Sequence, residues 1–180
     1  MQDGKLDFDL SLFSRLLYPR HVVLATCTNE QRKPNILPLS FSMPVSYSPP
    51  IVVISVGLTK YSHGLIEETG EFVINVPTRE LAQQTWLCGT ATGREMDKFR
   101  EAGLTPLPAR KVSAPLIKEC IGHLECRVRT ELTAGDHTLF VADVVAACVD
   151  DGVFDYVAEF PDFDTVSPLL APLDLPRREG

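Results

Sequence analysis

Apolar residues recur along the chain at two different spacings, and the switches between them mark out the elements. Leu10, Phe13, Leu16 and Leu17 fall at helical spacing over residues 9–17, with Asp9 placed to cap that helix and Pro19 to stop it. Residues 21–26 are rich in Val and Leu, a polar run follows, and residues 35–41 turn apolar again, which predicts a hairpin. Ser48-Pro49-Pro50 breaks the chain before residues 51–56, a β-branched run of the kind buried in a sheet. Residues 71–76 predict a fourth strand, ended by Pro77. Thr78 is placed to cap a helix on which Leu81, Ala82, Thr85 and Trp86 share a face, which makes Trp86 a core residue, and Gly89 follows the end of that helix. Residues 95–102 predict a shorter helix with Lys98 in solvent, and residues 105–115, with Pro106, Pro108 and Pro115, predict a loop. Residues 119–132 and 138–149 alternate around a turn at Ala134-Gly135-Asp136. A short strand near Phe154 closes the β part, and the proline-bearing tail from Pro161 predicts an arm that frays toward its end.

Roughly six strands with many hairpins, and helices inserted after the third rather than after every strand, disfavour a doubly wound parallel sheet. The expected fold is mainly β, an antiparallel barrel with accessory helices. At 180 residues the chain fits one domain spanning 1–180, with a core at about 18–155 and an arm at 160–180. A hydrophobic content of 44% and a charged content of 23% rule out disorder for the bulk. The net charge of −7 argues against a nucleic-acid partner, because neutralising phosphates needs clustered Lys and Arg. Charges at Asp3, Lys5, Asp7 and Asp9, with no long apolar run, predict no signal peptide or membrane span, hence a cytoplasmic protein.

The chemistry concentrates in Thr59-Lys60-Tyr61-Ser62-His63-Gly64, which joins a cation and hydroxyls to a helix start. The first amides of a helix lack internal partners and carry partial positive charge, so this set can grip a phosphate dianion. An ordinary capped surface helix is the other reading of the same residues. Glu67 and Glu68, adjacent on that helix, face different directions and make no carboxylate dyad. Cys27, Cys88, Cys120, Cys126 and Cys148 have no CxxC spacing and read as small buried thiols. On an extended segment, Cys120 and Cys126 share a face that excludes His123, so the three do not converge on a metal. Neither GxGxxG nor a P-loop is present, and Gly89-Thr90-Ala91-Thr92-Gly93 is by itself a Gly-flanked turn.

Four ordered blocks carry a resemblance: Asn35-Ile36-Leu37-Pro38-Leu39-Ser40 with Ser48-Pro49-Pro50; Lys60-Tyr61-Ser62 with the run from Ile66 to Asn75; Cys88-Gly89 with Asp97-Lys98-Phe99; and Gly135-Asp136-His137 before a strand. Over residues 18–149 the chain resembles the flavin reductase-like, FMN-binding split-barrel proteins, most of all their flavoredoxin branch. The resemblance implies a split β-barrel of Greek-key type, a homodimer, and one FMN per subunit near the dimer interface, FAD fitting less well. It places Asn35, Leu37 and Ser40 along the flavin, Ser55, Val56 and Gly57 by backbone against the ribityl-phosphate arm, Lys60 and Ser62 on the phosphate, and Gly89 close to the ring. His137 is implied near the flavin or nicotinamide end, the tentative catalytic position. The turn at Asn29-Glu30-Gln31-Arg32-Lys33 departs from the pattern in lacking a Gly, which bears on loop shape rather than chemistry.

The implied activity is that of an oxidoreductase passing electrons from NAD(P)H through flavin to free flavin, ferric iron or a redox protein partner. This fits a sequence without a triad or metal set, since the cofactor carries the chemistry. Two other readings stay open: a non-catalytic FMN electron carrier reduced by a protein partner, and a split-barrel module that binds another ligand. No residue pattern chooses between NADH and NADPH.

Overall fold

A computed structural model of the chain describes residues 7–153, which divide into a short N-terminal unit up to Arg20 and a larger unit from His21. In the first, Leu10–Leu17 forms a 3-10 helix whose N-cap Asp9 accepts a hydrogen bond from Ser11 N at 2.9 Å. The expected strand near Phe154 and the arm at 160–180 lie outside the described residues.

The larger unit is built on a seven-stranded antiparallel sheet. Its strands are β1 (Val23–Thr28), β2 (Pro34–Leu39), β3 (Ser42–Tyr47), β4 (Pro50–Gly57), β5 (Glu71–Val76), β8 (Gly122–Ala134) and β9 (His137–Val149). Helix α1 (Tyr61–Thr69) joins β4 to β5; α2 (Ala82–Thr90) and α3 (Lys98–Ala102) follow β5; and the two-residue strands β6 (Pro106–Leu107) and β7 (Leu116–Ile117) pair with each other.

The strand order β2-β1-β5-β8-β9-β4-β3 puts two strands consecutive in sequence, β2 and β3, at opposite edges. A flat sheet would hold those edges roughly 29 Å apart, six spacings of about 4.8 Å. Ser40 and Phe41 alone link them, and a two-residue link reaches only about 11 Å. The sheet therefore has to roll up. Since β2 and β3 are not hydrogen-bonded neighbours, the barrel stays open along that seam.

Alternation decides what each face packs. Val23, Ala25 and Cys27 of β1 join Val52, Ile54, Val56, Phe72, Ile74 and Phe140 inside the barrel, which Leu65 and Ile66 of α1 plug. Leu24, on the opposite face of β1, packs under α2 and α3 with Ile36, Leu81, Cys88 and Phe99. With both faces covered, β1 is buried throughout, which is why its sequence reads as a continuous apolar run.

β3 is a strand that the sequence pattern did not show. It contains Pro44, with a register shift between Pro44 and Ser46, and it pairs only with β4. Proline is tolerated there because an edge strand has backbone N–H groups with no partner to lose. Trp86 is the second correction: it is 75% exposed, and Leu81 and Cys88 are the buried side chains of that segment. Thr78 makes no side-chain capping bond. At the Gly-less hairpin turn, Arg32 takes the left-handed conformation itself at φ 61°, with Asn29 Oδ1 accepting from Lys33 N at 2.8 Å.

Candidate functional site

The link from β4 to α1 sets the geometry of the site. Lys60 N donates to Gly57 O at 3.0 Å, and Leu58 N donates to Asp136 O at 3.0 Å, which ties this turn to the β8–β9 turn. Gly57 is in register with His137. Lys60 is the N-cap of α1 but makes no side-chain capping bond; His63 N turns back to Lys60 O at 3.0 Å, which leaves the Tyr61 and Ser62 amides for an outside acceptor. The capped-helix reading of this segment therefore does not hold.

Two adjoining clefts meet at Lys60. The first, about 260 Å³, is lined by Asn35, Leu37, residues 59–62, residues 88–93 and Lys98. The second, about 170 Å³, lies at the barrel seam and is lined by residues 37–41, Ser55, Val56, Gly57, Lys60 and His137. They share Leu37 and Lys60. Asn35, Leu37, Lys60, Ser62 and Gly89 thus fall in the first cleft, and Ser40, Ser55, Val56, Gly57 and His137 in the second.

Within the first cleft Asn35 Nδ2 donates to Ser62 Oγ at 2.7 Å, both residues being buried. Asn35 Oδ1 is buried with no hydrogen-bond partner among the described residues. A buried acceptor left in that state costs free energy until something donates to it. The loop after α2 crosses directly above. A Cβ at Gly93 would overlap Asn35 Oδ1, come within 2.6 Å of Asn35 Cγ and lie 3.0 Å from Tyr61 Cδ1, so only glycine lets the loop approach this closely. Beneath it the Cys27 thiol is pushed up to about 12, chiefly by burial and against the pull of its bond to Ser62 and the nearby Lys98 charge. It stays a neutral thiol at physiological pH.

Lys98 was expected in solvent. Instead it is buried, and its Nζ donates to Cys88 O at 2.6 Å and Ile36 O at 2.8 Å. The signal in the sequence was Asp97, which caps α3 and so puts Lys98 at its first position, where a cation opposes the helix dipole unless it finds a partner elsewhere. Gly93 was also missed as a site residue, having looked like part of a turn.

Behind His137 of the second cleft, the exposed Asp136 places its Oδ1 2.7 Å from His137 Nδ1. A carboxylate only accepts, so Nδ1 donates and Nε2 is the nitrogen free to face the cleft. The same bond holds the Asp136 carboxyl below its ordinary range. Among the described residues no three His, Cys, Asp or Glu side chains gather as a metal site, and all five cysteines are free.

Residues 13–166 match the family model described as flavin reductase like domain. The chain belongs to the flavin reductase-like family. An uncharacterized family relative from Archaeoglobus fulgidus is 40% identical over 139 residues, 77% of each chain. The flavin reductase (NADH) of Kitasatospora aureofaciens is 29% identical, covering 79% of this chain and 73% of its own. The solved flavoredoxin of Methanosarcina acetivorans superposes with a TM-score of 0.75 at 27% identity, covering 83% and 77% of the two chains. The split barrel of the flavin reductase-like proteins is thus the fold of this one. Among the described residues no helix is long and apolar enough to cross a membrane.

Proposed function

We propose that the joined clefts hold FMN and that the protein passes electrons from NAD(P)H through this flavin to an acceptor. The observation that carries the reading is the first cleft itself: a lysine, a buried serine and an uncapped helix start around a buried, unpartnered amide oxygen. These residues fit a phosphorylated, polyhydroxylated arm. Lys60 Nζ, the Ser62 hydroxyl and the first amides of α1 bind the phosphate, and Asn35 Oδ1 accepts from a hydroxyl of the arm. Leu37, Ser40, Ser55, Val56 and Gly57 form the seam wall that orients the ring, and Gly89 leaves room for a close backbone approach. His137, its tautomer fixed by Asp136, presents Nε2 to the same wall as a hydrogen-bonding group. Bound FMN would supply hydride acceptance and onward electron release, chemistry that belongs to the cofactor while the protein binds and orients it.

Membership of the family and the likeness to a flavin reductase (NADH) support nicotinamide nucleotide as the donor. The likeness to a flavoredoxin supports the alternative of an electron carrier reduced by a protein partner. The exposed apolar edge of β3, with Met43, Val45 and Tyr47, supports a homodimer. Anaerobic addition of NADH and then NADPH to the FMN-loaded protein tests the reading. Bleaching of the flavin absorbance by either nucleotide is expected and names the donor. Retained flavin that stays oxidised with both overturns the reductase assignment in favour of the carrier.

A further inference from the structure

His63 lines neither cleft, yet its contacts reach the neighbours of both. It follows Ser62 in the first turn of α1 and is buried at 6% exposure, its ring edge-on to Phe140 with centroids 5.4 Å apart. Its Nε2 lies 2.8 Å from Oγ1 of Thr138, a buried residue that follows His137 in β9. One side-chain bond therefore joins the residue after the phosphate-cleft serine to the residue after the seam-cleft histidine.

The direction of that bond is set from both sides. Glu67, one turn further along α1, places Oε2 3.2 Å from His63 Nδ1. A carboxylate only accepts, so Nδ1 carries the proton, and in the neutral ring Nε2 is an acceptor. Thr138 Oγ1 then donates its one proton to Nε2, and Thr133 Oγ1, 3.3 Å away, donates to Thr138. Along the row Thr133, Thr138, His63 and Glu67 every donor meets an acceptor, and losing one partner leaves a buried polar atom unsatisfied.

Other contacts fix α1 to different parts of the barrel. Lys60 N to Gly57 O and Leu58 N to Asp136 O hold the turn before the helix, and Val128 N to Gly70 O holds the end after it. Asn35 ties Ser62 to β2, while Leu65 and Ile66 pack into the barrel by non-directional apolar contact. Among the described residues no other side-chain hydrogen bond runs from α1 to β9, the strand of His137.

Resting on the FMN reading, we propose that His63 is a positioning residue that, through Thr138, holds the phosphate-binding start of α1 at a set distance from the seam wall carrying His137. It touches no ligand. A ligand that spans both clefts gains from ends already set apart correctly, whereas one that fills a single cleft does not. FMN spans both, riboflavin brings the ring without the phosphate, and inorganic phosphate brings the anion alone.

Dissociation constants for these three ligands at pH 8 test this in the wild type, Thr138→Val and Thr138→Ser. Quenching of flavin fluorescence reads the two flavins, and shifts of the α1 amide NMR signals read phosphate. Thr138→Val keeps the shape and removes the donor; it is expected to weaken FMN about 10-fold, the worth of one hydrogen bond, and riboflavin and phosphate by less than about 2-fold. Thr138→Ser keeps the hydroxyl and is expected to bind FMN as the wild type does. Equal losses for the three ligands in Thr138→Val, an FMN loss shared by Thr138→Ser, or an unchanged FMN affinity in Thr138→Val each overturn the proposal. If Thr138→Val does not fold, His63→Gln and His63→Asn decide. The Gln oxygen reaches the place of Nε2 and is expected to keep FMN affinity, the shorter Asn to lose it, and equal affinity in the two overturns the proposal. A wild type that binds neither flavin overturns the FMN reading before any variant is compared, whereas one that binds FMN no more tightly than riboflavin overturns the role of His63 alone.

Discussion

Gly93→Ala is the smallest change that tests the cleft's geometry. The added methyl group would occupy the space of the Asn35 carboxamide, within 2.6 Å of its Cγ and 3.0 Å from the Tyr61 ring. Two relaxations are open. Asn35 can swing away, which breaks its buried 2.7 Å bond to Ser62 and costs about 1–3 kcal/mol. Alternatively the loop over residues 91–93 lifts and opens the cleft from above. With a loss of about 2 kcal/mol, a chain of this size melts roughly 4–8 °C lower, and FMN affinity falls roughly 10-fold or more in parallel. Thermal unfolding followed by circular dichroism, with FMN titration of the same samples, reads both. Asn35→Ala removes the obstructing group, so Gly93→Ala costs little in that background and the double-mutant cycle shows a coupling of at least about 1 kcal/mol. A Gly93→Ala protein that melts with the wild type, or a cycle that is additive, refutes the close approach of the loop to Asn35.

Other consequences are open to direct measurement. Arg32→Gly relieves a left-handed residue at φ 61° and is expected to stabilise by about 0.5–1 kcal/mol, so a lower melting temperature contradicts the turn described here. Trp86→Ala, at an exposed position, is expected to change stability by no more than about 0.5 kcal/mol, whereas a loss above about 2 kcal/mol would return Trp86 to the core. Cys27, Cys120 and Cys126 are raised by burial from 9.0 to about 12, so stability is full below pH 9 and is lost as pH climbs toward 12. The unfolded chain loses these protons first, and each thiol contributes a fall of about 1.4 kcal/mol per pH unit in that window. Urea unfolding under reducing conditions from pH 8.5 to 10.5 reads the slope; a Cys126→Ala protein has a shallower one, and a flat wild-type profile would contradict the burial.

Much of the barrel was legible because period and punctuation agreed. β5, β8, β9 and the turn at Gly135 follow from alternation, β-branching and turn residues alone. β3 was hidden by Pro44, which weakens a strand pattern except at the edge position that this segment holds. Trp86 was misplaced because helical spacing shows which residues share a face but not whether that face is covered. That residues 59–62 gather at a helix start was legible from residue chemistry, and the structure lines a cleft with them; Asn35 and His137, singled out by the order of their blocks, line the two adjoining clefts. Lys98 and Gly93 were not, because their roles depend on contacts with β2 across long sequence separations. The helix-opening position of Lys98 was the one local clue.

Residues at the start of α1 are proposed to hold a flavin by its phosphate. The most direct test is the absorbance spectrum of wild-type and Lys60→Glu proteins mixed with FMN and then freed of excess by gel filtration. A stoichiometric flavin spectrum is expected for the wild type and its loss in the variant, with both proteins equally folded by circular dichroism. A wild type that emerges colourless, or a Lys60→Glu protein that keeps its flavin, would contradict it.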